Sequence, residues 1–453
     1  MPAYGGSPYA GGSYAGPALV GAVLSPPGSL ATPTLRIELG FDAGPFGSPT
    51  WVTVSEHHHD PAGIVIRRGV TADGGYTTVG TCELTFRNDT RVLDASNTAG
   101  IYYGRLKARN WLRVTKVVGG VDYVLFTGYI PRWPQTYNHA RRALDVRVRA
   151  VDVLGLLQNR DFAPARPWTL DDPSLSVLDD PTIVFDDRRP WLPKQLTGVR
   201  MRWLLNYIGV PNSMLDIDDG TVECAAGQVD TDRLGPYLAK LAATELGELS
   251  VRADGTIRFL ERLGWTQRNQ TRTSQIVLSD DLTDTGASPF LQLGFDPTDD
   301  RWIVNEAVRT TPSGLERSAT DWSSIDEHGR QTENLDLLYE SELDAANHVA
   351  WKIRRYAAPQ TQIQTVTIDP RIAPAALYPS VYGLDIGAQI TVEFQPAGAG
   401  TAIVQDSRIA QIEHRLKALD STTTWRLEPV DDIPYWILDD PVRSVIDSIY
   451  EFA

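Results

Sequence analysis

Cysteine is nearly absent from this chain: Cys82 and Cys224 are the only two in 453 residues. That density excludes a disulfide framework and points to synthesis in a reducing cytoplasm. Long apolar runs are missing too, so no segment is expected to cross a membrane as a helix. The N-terminus has no basic stretch followed by an apolar one, and no secretory signal is expected. Basic charge is in deficit, with 57 acidic against 42 basic residues giving −15. A protein that grips or reads nucleic acid needs a basic face, so that class is disfavoured. DNA as a passing cargo stays open, because an acidic wall repels phosphate. Short catalytic signatures are missing as well: there is no H-E-x-x-H, G-x-S-x-G, Walker glycine–lysine loop or C-x-x-C. The chain is therefore read as holding no assembled active site, no metal and no cofactor.

What the chain does have is a repeat. W-T-L-D-D-P-S-L-S-V-L-D runs from Trp168 to Asp179 and W-I-L-D-D-P-V-R-S-V-I-D from Trp436 to Asp447, identical at eight of twelve positions. Pro173 and Pro441 lack an N–H and push the preceding Asp toward extended backbone, so neither copy reads as a core helix or a central strand. V-R-A-V-D (Val148 to Asp152) precedes the first copy and L-E-P-V-D (Leu427 to Asp431) the second. The chain is read as two related units, each closed by the same extended tail. The expected assembly and docking residues are Trp168, Leu170, Asp171, Asp172 and Pro173 in the first tail. In the second they are Trp436, Leu438, Asp439, Asp440 and Pro441.

The expected fold class is mainly β with an α+β middle domain and two related barrel-like β units. Residues 1–34 form a Gly-, Ser- and Tyr-rich arm, expected to lie against a neighbouring subunit. Residues 35–157 read as the first β unit, from alternating runs such as Trp51-Val-Thr-Val and Cys82-Glu-Leu-Thr-Phe. Within it, Gly119-Gly120 between two alternating runs marks a hairpin, since a primed turn needs positive φ. Residues 158–195 are a Pro- and Asp-rich linker. Residues 196–295 are the α+β domain. One helix there has Met201, Leu204, Leu205 and Ile208 on a face, and a second has Leu234, Tyr237, Leu238, Leu241, Ala242 and Leu246. A two-strand turn at Asp254-Gly255 follows. Residues 296–432 read as the second β unit, with strand signals from Arg301 to Asn305. It carries an inserted helix over 341–356 that presents Ala346, Val349, Ala350 and Ile353. Residues 433–453 are the extended C-terminal tail.

Other candidates are weaker. Asp pairs such as Asp280-Asp281 and Asp299-Asp300 suit turns and caps, because Asp bonds nearby backbone N–H groups. Glycoside hydrolysis needs two acids facing each other, and adjacent residues of an extended chain point apart. Asp216, Asp218 and Asp219 resemble the start of a calcium loop, but the acid required downstream is replaced by Gly227. His57, His58 and His59 read as a surface loop, with a metal on a symmetry axis as the alternative.

Several segments, in their order, resemble the minor tail proteins of phages of actinobacteria. The first are Gly63 to Gly69, Gly80 to Asn88, Leu112 to Val114 and Phe126 to Trp133. Leu246 to Phe259, Asn305 to Arg309, Asp326 to Gln331 and Arg354 to Pro359 follow. Trp425 to Pro429 and Ile437 to Pro441 complete the set. The resemblance covers about 35–453 and rests on diffuse patterns. It implies a structural tail-tip hub: a homotrimer whose two β units per chain form a pseudo-sixfold ring below the hexameric tail tube. The implied partners are the tail tube or a distal tail protein, the tape measure protein, and a central tip or fibre protein, with DNA only in transit. The implied location is the virion tail tip, after assembly in the host cytoplasm. Two competing readings are a tail-tip cell-wall hydrolase and a carbohydrate-binding receptor protein, the latter suggested by 12 Trp and 17 Tyr.

Overall fold

The computed structural model describes residues 33–430, apart from residues 71–76, 140–142, 159, 161–184, 187–188, 230–232, 263, 265–272, 282, 285, 300–302, 359, 397–400 and 418–420. The chain is mostly β, with one large sheet joined by a small α+β domain. No described helix is long and apolar enough to cross a membrane.

The first unit holds β1 (Thr34–Phe41), β2 (Thr50–Thr53), β3 (Ile64–Val70) and β4 (Thr77–Arg87). It continues with β5 (Asn110–Val118), β6 (Val121–Ile130), β7 (Gln135–Asn138) and β8 (Ala143–Val151). Its path is β2-β1-β5-β6-β8-β4-β3, with β7 beside β8. The β5–β6 hairpin turns at Gly119 and Gly120, whose φ values of 57° and 84° meet the expectation for that dipeptide. Helix α1 (Val153–Leu157) follows β8, capped by the Asp152 side chain, which accepts from Gly155 N.

The middle domain begins with the two-residue strand β9 (Phe185–Asp186), then β10 (Arg189–Leu192) and β11 (Gln195–Leu196). It continues through α2 (Thr197–Tyr207), β12 (Leu215–Ile217), β13 (Glu223–Cys224), β14 (Gly227–Gln228), α3 (Leu234–Glu245), β15 (Glu248–Val251) and β16 (Ile257–Leu260). The apolar faces expected for α2 and α3 are buried, with Met201, Leu204, Leu205, Ile208, Leu234, Leu238 and Leu241 all at 0 % exposure. Leu246 is the left-handed C-cap of α3 at φ 58° rather than a helical position. The end of the expected linker belongs here, since β10 and β11 pair with β14 and β13. Arg200, buried in α2, ties that segment down by donating to the carbonyls of Pro193, Cys224 and Ala225.

The second unit holds β17 (Val277–Ser279), β18 (Ser288–Pro289) and β19 (Gln292–Asp299). The chain then leaves the large sheet to form β20 (Glu306–Thr310), β21 (Glu316–Thr320), α4 (Trp322–His328), β22 (Thr332–Asp336) and α5 (Glu342–Tyr356). It returns as β23 (Gln360–Ile368), α6 (Pro374–Gly383), β24 (Gln389–Phe394), β25 (Ile403–Leu416) and β26 (Thr422–Pro429). Several expectations need correction here. The boundary at 295/296 falls inside β19, and β17 already lies in the large sheet. Residues 303–305 are not strand, and β20 starts at Glu306. The insertion is a separate sheet, β21-β20-β22, with α5 packed on it, rather than a lone helix. The α5 face is turned: Ala345, His348 and Val349 are buried while Ala350 is exposed. His348 goes inward because a polar network awaits it, which apolar periodicity does not reveal.

Strand order is the same in the two units. With the short strands β2, β7 and β18 set aside and the rest ranked by position in the chain, the first unit runs β1-β5-β6-β8-β4-β3 and the second β17-β24-β25-β26-β23-β19. Both are the permutation first, fourth, fifth, sixth, third, second. The second strand of each set pairs with the third through a register break, at Arg67/Gly69 in β3 and at Gly294/Phe295 in β19. One pairing differs in sense: β1 is antiparallel to β5, whereas β17 is parallel to β24. The units are barrel-like but open, for β6 and β8 meet only at Tyr129↔Val151. A single apolar core runs through both, from Ile37, Phe86 and Val148 to Ile390, Ile412 and Trp425. The outer face of β5 and β6 is covered in turn by the middle domain, where Trp111 and Tyr129 pack with α1, α2 and α3. With both faces covered, β5 loses its polar alternation.

Candidate functional site

The repeated tails come first, since they are the expected docking elements. Trp168, Leu170, Asp171, Asp172, Pro173, Trp436, Leu438, Asp439, Asp440 and Pro441 all lie outside the described residues. What the fold does place is the strand before each tail. V-R-A-V (Val148 to Val151) ends β8 and L-E-P (Leu427 to Pro429) ends β26, strands of equal place in the two units.

The densest functional geometry is the seam where three parts of the chain meet. Antiparallel pairing of β3 with β25 runs from Ile64↔Leu416 to Gly69↔Gln411. Gly69 makes it possible. Its φ is +114°, and a Cβ there would stand 2.2 Å from the Ala410 carbonyl oxygen. Next to it, the Arg68 side chain is 4 % exposed and donates to Asp385 Oδ1 at 2.7 Å and to the Val251 carbonyl at 3.3 Å. Asp385 Oδ2 accepts from Ala253 N at 3.2 Å. One guanidinium thus joins the first unit, the middle domain and the second unit. Arg258 adds a bond to the Ile386 carbonyl at 3.4 Å, and Arg67 pairs with Glu413 at 2.8 Å across the seam.

The electrostatics follow from burial. Burial opposes the Asp385 carboxylate, yet Arg68 and the Ile386 and Ala253 N–H groups hold its pKa below the usual range. Burial, with the like charge of Glu428 nearby, pushes Glu248 up to about 7. Burial also pushes Asp152 up to about 7, although it accepts from Gly80 N at 2.7 Å and Gly155 N at 3.2 Å. Burial and the Arg68 charge lower His414 to about 3, and His414 shares a 2.8 Å hydrogen bond with Thr423. Arg68, Asp152 and His414 are buried and Asp385 and Glu248 half-buried, and the Arg68–Asp385 pair fixes parts of the chain against one another.

A second polar cluster fastens the insertion. Arg309, at 0 % exposure, pairs with Glu333, and Lys352 reaches the same carboxylate at 3.0 Å. His348 lies 3.5 Å from Arg309 and hydrogen-bonds Tyr339. Burial and the neighbouring cations lower His348 to about 2. Sequence reasoning missed both clusters. Their members are up to 346 positions apart, and only the buried Arg at 68 and 309 would have signalled them.

The remaining candidates do not converge. His57 lies 3.7 Å from Glu56, His59 lies 3.9 Å from Asp145, and His58 bridges Phe86. Asp219 pairs with Arg202, Asp216 faces Arg252 and Arg258, and Asp218 accepts from Glu261 N. Among the described residues no three His, Cys, Asp or Glu side chains gather as metal ligands would. Asp281 accepts from Thr283 N within its own turn, the local use expected of such pairs, whereas Asp280 accepts from the distant Gln395 N. Cys82 and Cys224 are buried and unpaired, and burial raises both thiols, Cys224 to about 12.

No protein-family model and no curated protein matches this sequence. Solved structures do match its fold. A tail protein from Neisseria meningitidis superposes with a TM-score of 0.52 at 10% identity, covering 88% of this chain and 97% of that one. The 43 kDa tail protein of prophage MuSo2 from Shewanella oneidensis gives 0.50 at 14% identity, covering 87% and 98%. At such identity the likeness speaks for fold, and it extends over nearly the whole of both relatives. The mainly β architecture described above is the fold of these two tail proteins.

Proposed function

We propose that this chain is the structural hub of a phage tail tip, of the minor tail protein kind found in phages of actinobacteria. The observation that carries the reading is the strand order repeated in two fused β units of a chain that shares its fold with tail proteins. A hexameric tube meets a threefold tip without mismatch if each of three subunits offers two similar units. Three copies then alternate their units to give six similar positions under the tube. The partners are the tail tube or a distal tail protein above, the tape measure protein within, and a central tip or fibre protein below. The site of action is the virion tail tip, after assembly in the host cytoplasm.

In this role the protein works by assembly and carries no catalytic centre. DNA passes through the ring and does not bind. Each phosphate held by Lys or Arg releases counterions and costs free energy to let go, so the lumen is lined mainly by acidic and neutral side chains. The test is a symmetry-resolved image of the assembled particle. Three copies with alternating units around an acidic or neutral lumen are expected. Six copies with one unit at each position, or a lumen ringed by Arg and Lys, would overturn the reading.

A further inference from the structure

The two units are not equivalent at their edges, and the difference identifies a seam between copies. In the second unit β25 is continuous over fourteen residues. Its first part, Ile403–Arg408, pairs with β24, and its last part, Gln411–Leu416, has β26 on one side and β3 on the other. In the first unit the corresponding strand is broken in two. Residues 121–130 form β6 and pair with β5, while β7, residues 135–138, turns back onto β8. β7 is thus the counterpart of the last part of β25. It pairs with β8 as that part pairs with β26. It lacks a counterpart of β3: among the described residues β7 has no strand on its other edge, and all four of its residues are exposed.

The missing counterpart is present elsewhere in the same chain. The second unit's equivalent of β3 is β19, second in rank, paired with the third-ranked strand through a register break and carrying Gly294 at the break. β19 pairs only with β23 among the described residues, so its outer edge is open as well. Among the described residues two edges thus have no neighbouring strand, and each is the partner that the other's counterpart already has. They cannot satisfy each other as β3 and β25 do within one chain, because that seam already joins the two units. We infer that β7 of one copy pairs antiparallel with β19 of the next, repeating between chains the seam that β25 and β3 form within each.

The exposed side chains agree with this. In the internal seam the end of β25 lies against the start of β3, as Leu416↔Ile64. The same sense brings the end of β7 to the start of β19. Tyr137 stands at the first of these places, 61 % exposed, and Leu291, 56 % exposed, directly precedes the second. Large apolar side chains beside strand edges that no further strand covers are what native monomers avoid and what subunit contacts use. The contact is heterologous, since a β7 edge meets a β19 edge, and it propagates head to tail. Only the number of copies in the closed ring rests on the hub reading.

Single-cysteine variants of the full chain separate these points. Thr136→Cys and Tyr137→Cys report β7, and Leu291→Cys, Gln292→Cys and Leu293→Cys report β19. The native Cys82 and Cys224 are buried and stay silent. Oxidation of a mixture of one β7 variant with one β19 variant is expected to give a cross-linked pair, while each variant alone gives none. Tyr137→Asp should raise the concentration needed for assembly by at least about tenfold without moving the melting transition. Rings of three that yield no β7–β19 cross-link would overturn the seam and leave the hub reading standing. Self-cross-linking of a β7 variant would also overturn it, because that marks a twofold contact. A chain that stays monomeric at every concentration and never cross-links would sink both.

Discussion

The first and second β units are built on one strand order and differ in what is attached to it. Between its third and fourth strands the first unit has a turn-rich segment that buries Leu93, Tyr102 and Leu106. The second unit has α6 there, which buries Leu377, Tyr378, Val381 and Tyr382 over the same core. Between its second and third strands the first unit has only residues 71–76, while the second carries the whole β20–α5 insertion. The order of strands is thus held by the core, and the connections vary freely, as surface segments do. A second difference within the sheet, besides the reversed sense of β17 against β24, is β6 and β7 against continuous β25, and it decides which edges pair inside the chain and which have no neighbouring strand among the described residues.

The largest expected effect tests whether the two units share one core. Trp425 and Phe86 are both at 0 % exposure, on β26 and β4, in one contiguous apolar cluster. Truncating either to Ala should cost about 3–5 kcal/mol, the usual range for a buried aromatic ring. Calorimetry should show both variants lowering the midpoint of the same transition. If Phe86→Ala and Trp425→Ala instead shift two separate transitions, the units fold independently and the single core is wrong.

Next come the two glycines at the register breaks. Gly69 has positive φ and faces the backbone of β25, which cannot yield, so Gly69→Ala should destabilise by about 2–4 kcal/mol. A Cβ on Gly294 would meet Thr365 Oγ1 at 2.3 Å, a side-chain atom that can shift at the cost of a χ1 change, where Gly69 faces backbone. Gly294→Ala should therefore cost only about 1 kcal/mol or less in the isolated chain. Equal losses in chemical denaturation would show that the internal seam is no tighter than the open edge.

The repeated tails sharpen the comparison through assembly. Burying a Trp ring contributes about 2–3 kcal/mol, enough to pin an otherwise extended segment. Trp436→Ala and Trp168→Ala should each weaken assembly roughly thirtyfold to hundredfold, while the melting transition of the chain stays put. Unchanged assembly in both variants, measured by analytical ultracentrifugation, would remove the tails from the docking surface.

Much of the fold was legible where local chemistry decides it. Gly119-Gly120 forced a hairpin, and the apolar spacing of Met201, Leu204 and Leu205 forced a helix. Pro359 follows α5, and Ser341 caps it by accepting from Leu343 N. Legibility failed where the signal is mixed or remote. Helix α6 has Pro374 at its start and Pro379 inside it, so proline reads as a break although the helix is buried against the core. The insertion was merged with the second unit because β20 to β22 look like any other strands, and only pairing tells which sheet they join. The seam was invisible for a stronger reason. Arg68, Asp385 and Val251 carry no local pattern, and their meaning arises when three distant segments fold together. The repeat was the exception, a long-range signal written in the sequence: the segments that precede its two copies close strands of equal rank in the two units.

The smallest expected effect concerns pH, where the two units oppose each other. The first unit and the middle domain bury acids, Asp152 and Glu248, both raised to about 7. The second unit buries His414, lowered to about 3. An acid whose pKa is higher in the folded chain than in the unfolded one holds its proton over the interval between them. The folded state then binds more protons, and stability falls as pH rises from about 4 to about 7. His414 acts in the reverse sense. Its unfolded form takes a proton below about 6.5 while the buried ring refuses one until about 3, so stability falls as pH drops through that window. The two slopes partly offset each other between about 4 and 6.5, and only the acids still act near neutrality. Glu248→Gln removes one of them without changing shape. It should leave stability at pH 4 unchanged and raise it at pH 8 by about 1–2 kcal/mol, discounted for the partial exposure of the site. Denaturant titrations at the two pH values read this directly. An equal shift at both would mean that Glu248 stays charged in the fold, and that the nearby positive charges of Arg408 and Arg258, not burial, govern that side of the seam.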